Sequence, residues 1–165
     1  MSSTFPRSLL AAALAASFGP SLARGQAPDC TYDRCALRLQ HKLLSRSLVQ
    51  GARPTRVAPL GLFAPRIDLL AAAGDSTRSH YAAFRTHYNR GAALALVGIA
   101  TLTASIIVGS ASYNASDPQP YEGAAVGLLV GGVVAGFGAV VSRAKAEDHL
   151  QQAIWFYNRA LPRGP

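Results

Sequence analysis

Charged residues are scarce in this chain. Only 15% of its 165 residues are charged and 8% are aromatic, whereas 50% are hydrophobic. An average soluble domain has about 25% charged residues, and a disordered chain is poor in apolar ones. The composition therefore excludes a disordered chain and argues against a single soluble globule. Acidic residues are scarcer than basic ones: the chain has eight Asp and Glu and sixteen Lys and Arg, which gives a net charge of +8.

Three blocks of the sequence contain no charged residue, near residues 8–18, 91–113 and 123–142. The rest of the chain lacks a glycine-rich phosphate loop, a Gly-x-Ser-x-Gly elbow and a paired-carboxylate pattern. These absences, and the small number of residues outside the blocks, predict a non-enzymatic protein without a cofactor.

The first uncharged block has the features of a secretory signal peptide. Arg7 precedes about ten apolar residues, which are too few to span a bilayer. Gly19 and Pro20 end this run, and small residues at positions 21 and 23 predict cleavage after Ala23, with Ala27 as a second candidate. Residues 1–23 are therefore interpreted as a signal peptide. The alternative is a short N-terminal anchor that stays attached.

The two cysteines are Cys30 and Cys35. In an exported chain this spacing favours a local disulfide that closes a tight loop. A redox motif needs two intervening residues rather than four, and two thiols alone do not make a zinc site. A structural disulfide is thus the preferred interpretation.

The second and third blocks predict a transmembrane helical hairpin. Residues 91–113 and 123–142 contain no Asp, Glu, Lys, Arg or His. As helices they would extend about 34 Å and about 30 Å, which matches the hydrocarbon thickness of a bilayer. Residues 114–122 carry two prolines and form the predicted turn. A buried hairpin in a soluble domain is disfavoured, because too few residues remain to cover two helices that are apolar all round.

Small residues at four-residue spacing predict how the two helices pack. A turn centred near residue 118 places Gly109 opposite Gly127, Ser105 opposite Gly131, and Thr101 opposite Ala135. Such stripes let helices approach closely in lipid. A second stripe is left free for another copy of the chain, so homo-oligomerisation is a further hypothesis. The predicted helix-packing residues are Thr101, Ser105, Gly109, Gly123, Gly127, Gly131, Gly132 and Gly136.

Both apolar helices are predicted to continue beyond the membrane as an amphipathic stalk, which gives helices over residues 75–113 and 123–161 and a tail at 162–165. Tyr81, Phe84 and Tyr88 share one face of the first helix, and Leu150, Ile154 and Tyr157 share one face of the second. The same facing rule sets Tyr81 against Trp155, and we expect Trp155 to pack in the stalk core.

Histidines mark the stalk next to the membrane. The facing rule places His87 opposite His149, which makes this pair a weak candidate for a metal or pH-responsive site. Two solvated histidines without a fixed third ligand are the preferred interpretation, so no metal site is predicted.

Residues 24–74 are predicted to form a small exported domain with short β-strands near residues 35–40, 45–50 and 56–62, followed by a helix near 66–73. Its scattered arginines are suited to anionic lipid headgroups or other polyanions. Nucleic acid is not expected as a partner, because these arginines lack interleaved aromatic residues.

The topology signals conflict. A cleaved signal peptide places residue 24, both stalk helices and the C-terminus outside, with the turn in the cytoplasm. The positive-inside rule predicts the reverse, because the turn carries Asp117 and Glu122 whereas Arg90 and Arg143 flank the apolar runs. The signal peptide and the cysteines decide for the extracytoplasmic assignment.

The sequence is thus interpreted as a mainly α integral membrane protein of the bacterial cell envelope, with the inner membrane favoured. A hairpin would anchor a small domain and stalk that meet an envelope partner. Two alternatives stay open: an oligomeric pore or membrane-perturbing protein, and an accessory subunit of an envelope enzyme or transporter complex. A pore would have little polar lining, namely Thr101, Thr103, Ser105 and Ser110.

Overall fold

The computed structural model describes residues 30–42, 45–113 and 115–162. The predicted signal peptide and residues 163–165 of the predicted tail lie outside this range. The chain is mainly helical, with one small sheet. Its elements in order are α1 (Tyr32–Cys35), β1 (Leu37–Lys42), β2 (Ser45–Gln50), β3 (Thr55–Leu60), α2 (Asp68–Ala71), α3 (Asp75–Ser112) and α4 (Gln119–Arg159).

The helices α3 and α4 run antiparallel over their whole length. α3 begins at Asp75, directly after Gly74. α4 begins at Gln119, four residues earlier than the sequence predicted, because Pro120 occupies its first turn. A proline is compatible with that position, since the first backbone N–H groups of a helix have no partner within the helix. The turn between the helices is therefore shorter than expected.

The three strands form an antiparallel sheet in the order β1-β2-β3, which confirms the prediction of short β-strands before the long helices. Alternation places Leu37 and Leu48 in the core. Pro59 is accommodated because β3 is an edge strand. Between β2 and β3, Gly51 has a φ of +79°, and an added Cβ would lie 2.7 Å from the carbonyl oxygen of Arg34. Only glycine fits this turn without strain.

One hydrophobic core joins the sheet, α2 and the sheet-side ends of α3 and α4. The largest fully buried side chains are Phe84, Leu37, Leu48, Ile67, Leu70 and Leu150. The Asn158 side chain accepts a hydrogen bond from the Leu37 N–H (2.7 Å) and donates one to the Leu37 carbonyl (2.9 Å). The sheet and the predicted stalk helices therefore pack together in this core.

Cys30 and Cys35 form a disulfide across α1, with Cα atoms 5.5 Å apart. The Tyr32 N–H donates to the Pro162 carbonyl at 3.0 Å. The disulfide loop is thereby tied to the segment that follows α4, and the first and last described residues lie together.

Candidate functional site

The hairpin divides into two segments of opposite character. We call residues 75–90 of α3 and 143–159 of α4 the proximal hairpin, because they share the core with the sheet. We call residues 91–112 of α3 and 119–142 of α4 the distal hairpin. The buried residues of the proximal hairpin include Tyr81, Phe84, Leu150, Ile154 and Tyr157.

Small residues form the helix–helix interface of the distal hairpin. A Cβ added at Gly98 would lie 3.1 Å from the Gly132 carbonyl oxygen and 3.3 Å from the backbone nitrogen of Gly136. The Ser105 hydroxyl donates to the Ala125 carbonyl at 2.8 Å. The buried residues of this segment are Gly91, Ala92, Gly98, Ser105, Gly132, Ala139 and Ser142. The two backbones are therefore in close contact, as small-residue interfaces allow.

The helix register differs from the one that the sequence predicted. Gly109 faces Ala125 rather than Gly127, and Gly132 packs against Thr101 and Leu102. The shorter turn explains the difference, because it changes which residues of α4 lie opposite a given residue of α3. At the predicted packing residues Gly123, Gly127, Gly131 and Gly136, an added Cβ would meet no atom of the described residues of α3 within 4 Å, although the backbone nitrogen of Gly136 itself borders Gly98.

Large apolar side chains of the distal hairpin point away from the chain. The exposed fraction reaches 74% at both Ile106 and Phe137. In the most apolar 18-residue stretch of each helix, only 22% of the stretch is buried in α3 and only 17% in α4. The core helix of a soluble protein would be mostly buried. Two helices are thus long and apolar enough to span a membrane, and the other large side chains on this surface are Leu96, Val97, Ile99, Leu102, Ile107, Val126, Leu129, Val130, Val133, Val134, Val140 and Val141.

Aromatic and polar residues border the apolar surface at both ends. At the sheet side, Arg143 lies over the Tyr88 ring, with its guanidinium carbon 3.8 Å from the ring centroid. At the turn side, Tyr113 and Tyr121 are exposed. Aromatic residues at the two ends of an apolar band are typical of membrane–water interfaces.

The segment that links β3 to α2, residues 61–67, is bound to this sheet-side border. The Tyr88 hydroxyl donates to the Gly61 carbonyl at 2.6 Å, and Arg143 Nη2 donates to the Leu62 carbonyl at 2.7 Å. The Ala64 N–H donates to Asn89 Oδ1 at 2.9 Å. Tyr88, Asn89 and Arg143 are each at most three residues from an uncharged run, which is about 5 Å along the helix axis. We call residues 61–64 the border loop.

Tyr81 fixes the remainder of the same segment. Its hydroxyl accepts a hydrogen bond from the Ile67 N–H (2.6 Å) and donates one to the Pro65 carbonyl (2.8 Å). Burial raises the pKa of Tyr81, and hydrogen bonding to Ile67 offsets part of that rise. The sequence analysis placed Tyr81 and Tyr88 on an apolar helix face, with Tyr88 as a candidate interface anchor, and did not identify their hydrogen bonds. These bonds link residues 14 to 81 positions apart, so no local pattern could have revealed them.

A cavity of about 350 Å³ lies between the sheet and the proximal hairpin. Phe84, Leu150 and Leu60 contribute its apolar walls. At its edge Arg46 and Glu147 form an ion pair at 2.8 Å. Both partners are partly exposed, so this pair contributes at most about 1 kcal/mol to stability.

The histidines meet between α3 and α4. His87 does lie across from His149, and their rings stack with centroids 5.5 Å apart and an interplanar angle of 9°. The Nδ1 atoms of His80 and His149 are 3.3 Å apart. Stacked rings do not direct their nitrogens at one point, and the described residues contain no group of three His, Cys, Asp or Glu placed to hold a metal ion.

Trp155 does not occupy the core position that the sequence predicted. It is 53% exposed and packs edge-on against Phe156. Phe156 in turn stacks on His80 at 5.4 Å between centroids. Trp155 lies off the face of α4 that carries the buried residues Leu150, Ala153 and Tyr157, so its ring is turned away from the core.

No family model matches this chain, and neither the curated proteins nor the solved structures give a match.

Proposed function

We propose that this chain is a non-enzymatic integral membrane protein of the bacterial cell envelope. In this proposal the distal hairpin spans the bilayer and holds the sheet, α2 and the proximal hairpin, together called the sheet-bearing unit, at the outer surface of the membrane. One observation carries the proposal. Small residues lie between the distal helices, and large apolar residues face outward. Water would favour the opposite arrangement, whereas lipid solvates the large side chains and lets the small ones pack.

The dimensions of the distal hairpin support this proposal. The 22 residues from position 91 to the end of α3 extend about 33 Å, close to the thickness of the hydrocarbon core. Backbone polar groups inside that length are satisfied within the helices, as lipid requires. Arg90 and Arg143 lie just outside it, where long side chains reach the headgroup region.

The hydroxyl groups of the distal hairpin argue against the pore alternative. Thr101, Thr103 and Ser110 donate to carbonyl groups of their own helix. Ser105 donates across the interface to Ala125. These hydroxyls therefore have partners already and are poorly suited to line a water-filled channel.

Membrane integration is tested by washing membranes with alkaline carbonate and then floating them on a density gradient, which separates inserted protein from aggregates. We expect the mature chain to float with lipid. Recovery in the aqueous fraction would refute the proposal.

A pair of variants relates this result to the exposed surface. Ile99→Lys combined with Val133→Lys places two charges near the middle of the span, at a cost of about 3 kcal/mol each. This double variant should lose much of its membrane fraction. Trp155→Lys is the matched control at a half-exposed proximal position, and it should float like the parent.

Sidedness is tested with a membrane-impermeant thiol reagent on intact cells. Arg53→Cys lies in the exposed turn between β2 and β3, and Pro118→Cys lies in the turn between the helices. The native cysteines form a disulfide and do not react. The extracytoplasmic assignment predicts labelling at position 53 only, and labelling at position 118 only would reverse it.

A further inference from the structure

We infer that the border loop is a second membrane contact, in which the side chains of Leu62 and Phe63 enter the headgroup region of the same bilayer that holds the distal hairpin. The inference rests on the proposed function, because it needs that hairpin in lipid. The inference adds that the sheet-bearing unit contacts the lipid surface directly and is not separated from it by water.

The hydrogen bonds to the helices determine the height of the border loop. Its carbonyl groups at Gly61 and Leu62 accept from Tyr88 and Arg143, and its N–H at Ala64 donates to Asn89. These three partners lie within three residues of the uncharged runs of α3 and α4. The loop backbone therefore lies at the level where the apolar surface of the hairpin begins.

The loop presents apolar side chains at that level. Leu62 is 50% exposed and Phe63 is 53% exposed, although the core begins only a few residues away at Ile67. Three side chains hold the loop backbone in place, yet none of these bonds buries Leu62 or Phe63. The two side chains thus add exposed apolar area beside the sheet-side end of the distal hairpin.

Lipid is the occupant that this position favours. The loop that carries the exposed pair is bonded to Tyr88, Asn89 and Arg143, next to helix segments that are long and apolar enough for a bilayer. Arg143 lies beside it with no carboxylate among its contacts in the described residues, since its contacts are the Tyr88 ring and a carbonyl. A cation next to exposed Leu and Phe side chains is the arrangement that interfacial segments use at anionic headgroups.

The depth of residue 63 can be measured by tryptophan fluorescence. The protein is reconstituted into phosphatidylcholine vesicles whose acyl chains carry bromine either near the headgroup or near the chain end. Trp155→Phe removes the single native tryptophan, and Phe63→Trp then reports the border loop. Leu62→Trp is a second reporter in case the first variant fails to fold.

Two control positions accompany these reporters in the same background. Val133→Trp lies on the exposed surface of the distal hairpin, near its middle. Arg53→Trp lies at the opposite end of the sheet from the border loop. We expect the tryptophan at position 63 to be quenched several-fold more by bromine near the headgroup than by bromine near the chain end. Position 133 should show the reverse preference, and position 53 should show no quenching.

The outcomes separate the two proposals. Quenching at position 133 without quenching at positions 62 and 63 would overturn the membrane contact of the border loop and leave the membrane hairpin standing. Absence of quenching at position 133 would overturn both. Equal quenching at positions 53 and 63 would also overturn the inference, because it would show that the whole unit meets the lipid without preference for the loop.

Discussion

The proximal and distal hairpin are halves of the same two helices, but the sizes of their buried and exposed side chains are reversed. In the proximal half, large residues such as Phe84 and Leu150 are buried, and charged residues such as Arg85 and Lys145 are exposed. In the distal half, Gly98 and Gly132 are buried, and large aliphatic residues are exposed. The change occurs near Gly91 and Ser142. A continuous helix pair can thus carry two different interfaces, each suited to a different surrounding medium.

The contrast also explains where the sheet packs. The sheet, α2 and the linking segment all cover the proximal half, where aromatic and aliphatic side chains provide a core. The inner face of the distal half consists mostly of backbone and small side chains, with Leu102 packed against Gly132. Packing against the sheet stabilises the proximal half. The stability of the distal half depends on the close approach of the two helix backbones and on the medium around its exposed apolar side chains.

The largest expected effect comes from removing a buried aromatic ring in the proximal half. Phe84→Ala should lower the free energy of unfolding by about 3–5 kcal/mol, because it leaves a cavity in the shared core. Chemical unfolding in a mild detergent measures this value. The matched control is Phe137→Ala in the distal half, where the ring is 74% exposed and the change should be below about 1 kcal/mol. Equal losses at the two positions would remove the distinction between the halves.

Enlarging a buried glycine tests the distal interface. Gly98→Leu should cost about 1–3 kcal/mol, because the new side chain would meet the backbone of Gly132 and Gly136, which cannot move aside. Gly127→Leu is the control, since its added Cβ would meet no described atom of the facing helix α3 within 4 Å. Thermal unfolding of both variants in the same detergent gives the comparison. A larger loss at Gly127 would restore the register that the sequence predicted.

The disulfide contributes to the sheet-bearing unit alone. Replacing both Cys30 and Cys35 by Ser should reduce its stability by about 2 kcal/mol, as expected for closure of a short loop. The helix pair of the distal hairpin should be unaffected. Amide hydrogen exchange, read separately for residues 37–60 and 91–112, would show whether the loss stays local. Faster exchange confined to residues 91–112 would contradict this assignment.

Alkaline pH should loosen the proximal half first. Burial raises the pKa of Tyr81 above its ordinary value of 10.0 and also raises the pKa of Tyr157. The folded state therefore favours the neutral phenols. Their contribution is complete below pH 10 and is lost as the pH rises through the raised values. Tyr81→Phe should cost about 1 kcal/mol at neutral pH through its lost hydrogen bonds, and it should flatten the alkaline decline. An unchanged decline would assign the effect to other groups.

Much of this fold could be predicted because it depends on local patterns. The uncharged runs predict two long apolar helices, the stalk prediction places the start of the first helix at residue 75, and the alternation over residues 35–40 predicts a strand. The register between the helices was not predictable in the same way. It depends on the length of one turn. Because α4 begins at Gln119, Gly109 in the distal hairpin faces Ala125 instead of Gly127, whereas His87 still faces His149 as predicted.

The candidate site was less accessible to sequence reasoning for the same physical reason. The bonds of Tyr88, Asn89 and Arg143 to the border loop are made by ordinary polar residues that have no motif around them. Asn158 reaches a strand 121 positions earlier in the chain. Such contacts follow from the packed arrangement of the sheet on the helices, which periodicity alone does not specify.

The central claim is that the exposed methyl groups of the distal hairpin lie against lipid chains. Nuclear Overhauser cross-peaks in lipid bicelles, with protonated lipid chains and selectively methyl-labelled protein, test it most directly. The claim predicts cross-peaks between chain methylene protons and the methyl groups of Ile106 and Val133, with none from the buried methyl groups of Leu150. Cross-peaks from Ile106 and Val133 to water, in the absence of any to lipid, would contradict it.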